Sequence, residues 1–300
     1  MKKKTYLFTL MAMALTLGSC SDNENGIGGE TSKYITVSTS IGNMTRVATD
    51  EKGGQTFEEG DEISVYAWTG DATVAPETRE RVVNNAINKL TNGSWVSTPQ
   101  MLWKNNRDKH YFIGVYPTAA ISDLSAGEYT FDANKQTESD LLVAVNPDGL
   151  SYSADAQQTV PLTFTHVMAK LAVNLTYKNQ WGGIPTVEKV VVGNAAKEAT
   201  INYLTKVVTP STTAKEDFSL PEITENTKYV SVIIPQEDVK QLTIVIGGKN
   251  FVYDNGTPFK LESGKITTVN LEVGRDEIKL GDVKITDWED GSTFSGEAIN

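Results

Sequence analysis

Short runs in which apolar and polar residues alternate recur along the chain. The first is Tyr34–Ile41, where Ile35, Val37, Thr39 and Ile41 alternate with Tyr34, Thr36, Ser38 and Ser40. Such a period of two predicts a strand with one buried face. Gly42–Gln55 has loop composition, with adjacent glycines at Gly53 and Gly54 and one arginine, Arg46. Glu62–Trp68 alternates again, with Ile63, Val65 and Ala67 on one face. Val82–Leu90 reads as a strand or a short helix, and its flanks, Asn84-Asn85 and Asn92-Gly93, favour a strand and turn. His110–Tyr116 is a strong strand signal stopped by Pro117. Tyr129–Phe131 and Leu141–Ala144 follow. Short strands separated by turn residues at spacings of roughly 8–12 positions predict an all-β sandwich.

The second half opens on the longest β-rich run, Val160–Tyr177. Leu162, Phe164 and His166 keep one phase, and Leu171, Val173 and Leu175 keep the other. The phase change predicts a bulge or break near Met168. Val187–Val192 and Glu198–Tyr203 are strands, with Gly193-Asn194 as the separator, and the polar Thr205–Glu225 reads as an irregular crossing. Strands at Tyr229–Ile234, Gln241–Ile246, Phe251–Tyr253 and Ile266–Val273 follow, divided by Gly247-Gly248 and Asp254-Asn255-Gly256. A tail carries Ile278, Leu280, Val283, Ile285 and Trp288 before a polar end. The 300 residues suggest one large or two medium domains. The polar stretch before residue 159 sets the expected boundary, giving a β-sandwich over 34–158 and another over 159–300.

The first residues change the picture. Lys2-Lys3-Lys4 and an apolar run from Tyr6 to Leu17 have the layout of a signal peptide, residues 1–19. The run is far below the ~20 residues of a membrane-spanning helix. Leu17-Gly18-Ser19-Cys20 resembles a bacterial lipobox, and Cys20 is the only cysteine in the chain. Lipidation of Cys20 would anchor the chain through its acyl methylenes, and residues 20–33 form a polar tether. Asp22 and Glu24 resemble the surface-export signals of Bacteroidetes lipoproteins, a lean toward the outer face of the outer membrane. A single cysteine excludes an internal disulfide and a cysteine metal site. The formal charge is −11, and −14 without the three leading lysines. That is a poor match to nucleic acid, whose phosphates call for clustered Lys and Arg.

No catalytic constellation emerges. His110 begins an apolar strand and His166 sits within one, and neither has metal-ligand spacing. No Gly-x-Ser-x-Gly elbow, phosphate loop or dinucleotide fingerprint occurs. Asp276-Glu277 and Glu289-Asp290 read as solvated surface. Asp132, Asn134, Asp254 and Asn255 lack the spacing of a calcium loop. Trp68, Trp95, Trp103, Trp181 and Trp288 are weighed as core residues against a sugar-binding platform. The expectation is a non-enzyme with no cofactor and no metal.

Several short pieces in order carry a family resemblance. They are the lipobox at Cys20, Thr45-Arg46 followed by Thr56–Ile63, Trp103 with Tyr111-Phe112 and Tyr116-Pro117, Asp140–Ala144, and Leu162–Leu171. The chain resembles the fimbrillin-like proteins of the Bacteroidetes, subunits of type V pili. The resemblance implies two transthyretin-like β-sandwich domains in tandem and a lipoprotein precursor. It implies cleavage after an arginine in the loop behind the first strand, here the Arg46–Val47 bond. It implies a groove left by that strand and filled by a C-terminal strand of the next subunit. The candidate donor is Glu277–Trp288, with Ile278, Leu280, Val283 and Ile285 as inserting residues. Its alternation breaks at Gly281-Asp282, which leaves open one donated strand, two pieces with a bend, or a strand that closes its own domain. Implied partners are other pilus subunits as a homo- or hetero-polymer, the outer membrane through the anchor, and a host or bacterial surface ligand. Two alternatives stay open: Arg46 as a solvated loop residue in a chain that remains anchored, and a monomeric surface lipoprotein that binds glycan or a host protein.

Overall fold

Alternation of apolar and polar residues carries most of the chain into strands. The computed structural model describes residues 33–42, 56–136, 138–153, 158–254 and 256–288. Its first strands are β1 (Thr36–Ile41), β2 (Glu62–Thr69), β3 (Val83–Thr91), β4 (Ser94–Thr98), β5 (His110–Tyr116), β6 (Gly127–Thr130), β7 (Leu142–Leu150) and β8 (Thr159–His166). All but β6 form one seven-stranded sheet in the order β1-β8-β7-β5-β2-β3-β4. The sheet curls until its edges meet, so that Trp95 Nε1 on β4 donates to Thr39 Oγ1 on β1 at 3.0 Å. Ile35, Val37, Ile63, Val65, Phe112, Leu162 and Phe164 pack inside the curl.

The rest of the chain supplies β9 (Ala169–Tyr177), β10 (Val187–Ala196), β11 (Glu198–Asn202), β12 (Val207–Pro210), β13 (Lys215–Leu220) and β14 (Glu222–Thr224). It ends with β15 (Lys228–Ile233), β16 (Gln241–Ile246), β17 (Lys249–Asp254), β18 (Lys265–Val273) and β19 (Ile278–Asp287). Sheets of order β13-β10-β16-β17 and β14-β15-β9-β18-β19 enclose a second core that includes Leu171, Val173, Val190, Ile244, Val269 and Leu271. That core runs on under the first sheet to Tyr66, Trp68, Ile113 and Val143, where the small sheet β12-β11-β6 lies. β2 is therefore buried on both faces, with Tyr66 and Trp68 on the side opposite Ile63, Val65 and Ala67. Thr31–Asn300 makes one compact unit. β8 follows the expected boundary at 158 and joins the seven-stranded sheet, while β11 pairs with β6.

The break near Met168 is the passage from β8 to β9, two strands of different sheets. Two sequence expectations are corrected. Gly193-Asn194 does not separate strands: it is a bulge inside β10, where the register shifts between Val192 and Ala195 and Asn194 has φ 56°. Thr205–Glu225 is not irregular: it contains β12, β13 and β14. β12 and β14 are short, mostly exposed edge strands, and an edge needs no long apolar run.

His110 explains how the loop before β5 is fixed. Its ring is buried, its Nε2 accepts from Lys104 N at 3.0 Å, and its Nδ1 donates to Asp108 O at 3.1 Å. Burial, first of all, holds its pKa below the ordinary 6.5. Stability from the neutral ring is thus present above 6.5 and falls as pH drops toward the lower folded value. Urea unfolding at pH 7.5 and 5.0 checks this. The native chain should lose more stability than His110→Gln over that interval, and parallel losses would remove His110 as the cause.

Candidate functional site

The two ends of the described chain are both edge strands, in different sheets. β1 runs parallel to β8, with Val37 opposite Val160, Thr39 opposite Leu162 and Ile41 opposite Phe164. The inward Ile35, just before it, and Val37 within it are 2% and 6% exposed, and Thr39 and Ile41 are half-buried. Its outward hydroxyls meet those of β8, Thr36 to Thr159 and Ser40 to Thr163, each at 3.2 Å. β7 pairs with β8 only across Leu142–Ala144 and Phe164–His166. The first half of β8, Thr159–Thr163, therefore has β1 as its ladder partner and no other among the described residues.

Among the described residues, the backbone of the far side of β1 is tied at its start alone, and farther along only the Thr39 hydroxyl is held, by Trp95. Ile35 N donates to Met101 O at 2.9 Å, and Trp103 N donates to Lys33 O at 3.2 Å. Beyond that, a groove of about 620 Å³ opens between β1 and β4, lined by Thr39, Ile41, Phe57, Leu90 and Trp95. Phe57 stands in it edge-on to Phe164, Trp95 and Tyr116, with ring centres 5.1, 5.3 and 5.4 Å away. Burial, then the Asp61 carboxylate that accepts its hydroxyl at 3.3 Å, push Tyr116 up to about 12. The tyrosine stays a neutral donor at the rim. Phe57 was missed as a site residue, although it is the first apolar position after the Arg46 loop. Cys20, Arg46 and Val47 lie outside the described residues.

At the other end, β19 forms a hairpin with β18 and closes the edge of its own sheet. The break in its alternation is a single bulge, because the register shifts where Asn270 faces Asp282 and Leu271 faces Leu280. The bulge returns the strand to phase. Ile278, Leu280, Val283 and Ile285 then stand opposite Val273, Leu271, Val269 and Thr267, four positions on the buried face of β18. The expected inserting residues thus share one face. They are poorly covered there: Leu280 and Val283 are 38% exposed and Ile285 is 41% exposed. Trp288 follows the strand and is only 3% exposed.

No catalytic constellation is present among the described residues. The five tryptophans form no common platform: Trp68 and Trp288 are buried, Trp95 lines the groove, Trp103 packs on His110 and shares a cavity wall with Trp68, and Trp181 packs on Phe251. No group of His, Cys, Asp or Glu among the described residues could hold a metal ion. Asp132 instead accepts the Asn134 backbone N–H at 2.9 Å.

The comparisons with known proteins agree with this architecture. The profile of the fimbrillin-like family matches residues 45–288. A protein described as a fimbrium subunit, Fim1C of Bacteroides uniformis, is 24% identical over 97% of both chains. Two crystal structures described as cell adhesion proteins share the fold. That from Bacteroides ovatus has a TM-score of 0.62 at 18% identity, over 85% of this chain and 98% of its own. That from Bacteroides uniformis has 0.60 at 18%, over 86% and 100%. With a match that spans most of its length, and an all-β architecture shared with those structures, the chain belongs to the fimbrillin-like family.

Proposed function

We propose that the chain is a structural subunit of a cell-surface pilus that supports adhesion. Family membership makes it a structural protein rather than an enzyme. It is exported as a lipoprotein precursor held in the outer membrane by Cys20, and it joins other subunits after cleavage of the Arg46–Val47 bond. Release of β1 opens an acceptor, and β19 of a neighbouring subunit fills it. The observation that carries this reading is the pairing of β8. Half of that strand depends on β1 alone, and β1 is the first strand of the described chain. Any strand that replaces β1 recovers both the backbone pairs and the apolar cover of Val160, Leu162 and Phe164. β19 suits the task, because its four inward residues match in number the inward Ile35, Val37, Thr39 and Ile41.

An arginine-specific protease tests the reading on the purified chain. The expected products are a new N-terminus at Val47 and a ladder of oligomers, which the chain lacking Glu277–Asn300 does not form. If trimming yields no oligomers, or the shortened chain forms them equally well, assembly by strand exchange is wrong.

A further inference from the structure

β19 is held in an unusual way. Its cover is concentrated at one position just past its end. Every residue from Lys279 to Asp287 is exposed, whereas Trp288 after them is 3% exposed. The indole lies flat on the His166 ring, with centres 4.0 Å apart and planes 8° apart. The ammonium of Lys170 sits over it, 4.1 Å from the ring centre. His166 is fixed in turn by Asp140, whose Oδ1 is 2.9 Å from Nδ1. The Trp288 backbone N–H donates to Gly264 O at 3.0 Å, and Gly264 N donates to Met168 O at 2.8 Å.

This dock is assembled from the passage between the two main sheets. His166 ends β8, Lys170 lies in β9, and Gly264 precedes β18. Gly264 has φ +69°, and a Cβ there would meet His166 O at 3.2 Å. A side chain at this position would be both strained and crowded. The pocket for the indole therefore depends on a residue type that the turn itself demands. Aromatic stacking and a cation over the indole face both add to simple burial. Along the strand, by contrast, the inward Leu280, Val283 and Ile285 keep about two-fifths of their surface in water.

We propose that Trp288 is a latch, which parks β19 on its own β18 until an acceptor groove competes for the strand. The proposal rests on the strand-exchange reading for its purpose but not for its physical content. The latch must open before the strand can be donated. The four inward residues leave a half-wet edge, whereas the place of β1 covers Ile35 and Val37 almost fully and Thr39 and Ile41 by half. Exchange then proceeds toward greater burial once Trp288 and the ladder to β18 let go.

Amide hydrogen exchange on the unassembled chain tests the latch directly. In Trp288→Ala, the amides of Lys279–Asp287 should exchange at least about tenfold faster, while β9 and the β9-facing amides of β18 stay protected. Trp288→Phe, which keeps a stacking ring, should lie close to the native chain. Unchanged β19 exchange overturns the proposal. So does loss of protection across the whole β9–β18 pair, which would make Trp288 an ordinary core residue.

A second arm fixes the strand covalently. In a Cys20→Ser background, Thr268→Cys with Lys284→Cys joins an outward-facing pair that lies directly opposite across the hairpin. After trimming at Arg46, the oxidised form should not polymerise and the reduced form should. Equal polymerisation in both states overturns the parked-strand idea. If even the native chain fails to polymerise, strand exchange fails, and hydrogen exchange alone still judges the latch.

Discussion

In the chain lacking Glu277–Asn300, which has no strand to donate, trimming after Arg46 and release of β1 should lower the unfolding free energy by about 3–6 kcal/mol. Ile35 and Val37 are almost fully buried, and a fully buried aliphatic side chain contributes roughly 1.5–3 kcal/mol. Half-buried Ile41 adds to that. For a chain of this size the midpoint should drop on the order of 10 °C. The damage should be local first. Among the described residues Thr159–Thr163 has only β1 as ladder partner, so its amides should lose protection, while β2, β5 and β7 keep theirs. A synthetic peptide of residues 277–288 should restore protection at Thr159–Thr163. Differential scanning calorimetry and hydrogen exchange check both halves. A trimmed chain as stable as the untrimmed one, or a peptide that leaves β8 unprotected, would mean that β1 is not the strand being replaced.

The sequence made the strands legible wherever one face is wet. Tyr34–Ile41 and the odd positions of Glu62–Trp68 were read in the right phase, because a single buried face imposes a period of two. What it hid was the second burial of Tyr66 and Trp68, since the Tyr66 hydroxyl is held by Ala119 O and Ile121 N and Trp68 packs near Tyr111, all distant in sequence. β12 and β14 were lost for the opposite reason: a short edge strand with polar side chains has no apolar signal to read. The candidate site was half legible. The four inward residues of β19 could be named from their spacing, but only the pairing with β18 shows that the break at Gly281-Asp282 is one bulge. His166 looked structural, and so it is, yet its partners are the chain's last described residue and a carboxylate 26 positions earlier. Stacking across such a separation leaves no local trace. Phe57 was overlooked because a single aromatic after a loop has no period at all.

The floor of the β1 groove offers a second large effect. Phe164 is fully buried, faces Ile41 in register, accepts the Gly42 N–H on its carbonyl at 2.7 Å and packs edge-on to Phe57. Phe164→Ala should cost about 3–5 kcal/mol, the usual range for a buried aromatic truncated to a methyl. The ring also explains Gly114 in the middle of β5. A Cβ at 114 would lie 2.6 Å from Phe164 Cζ and 3.1 Å from Leu162 Cδ1. Gly114→Ala should therefore cost about 1–3 kcal/mol by overpacking. The two changes should not add. With the ring gone, the methyl at 114 enters the space that Phe164 occupied, so Gly114→Ala should be nearly neutral in the Phe164→Ala background. The double-mutant cycle should return a coupling of about 1–3 kcal/mol, measured by urea unfolding of the four proteins. Additive losses would mean that glycine at 114 answers to the backbone of β5, not to the ring beneath β1. Coupling would tie β5, in the middle of the sheet, to the floor of the site that β1 vacates. The same ring would then govern both the stability of the uncut chain and the fit of any strand that replaces β1.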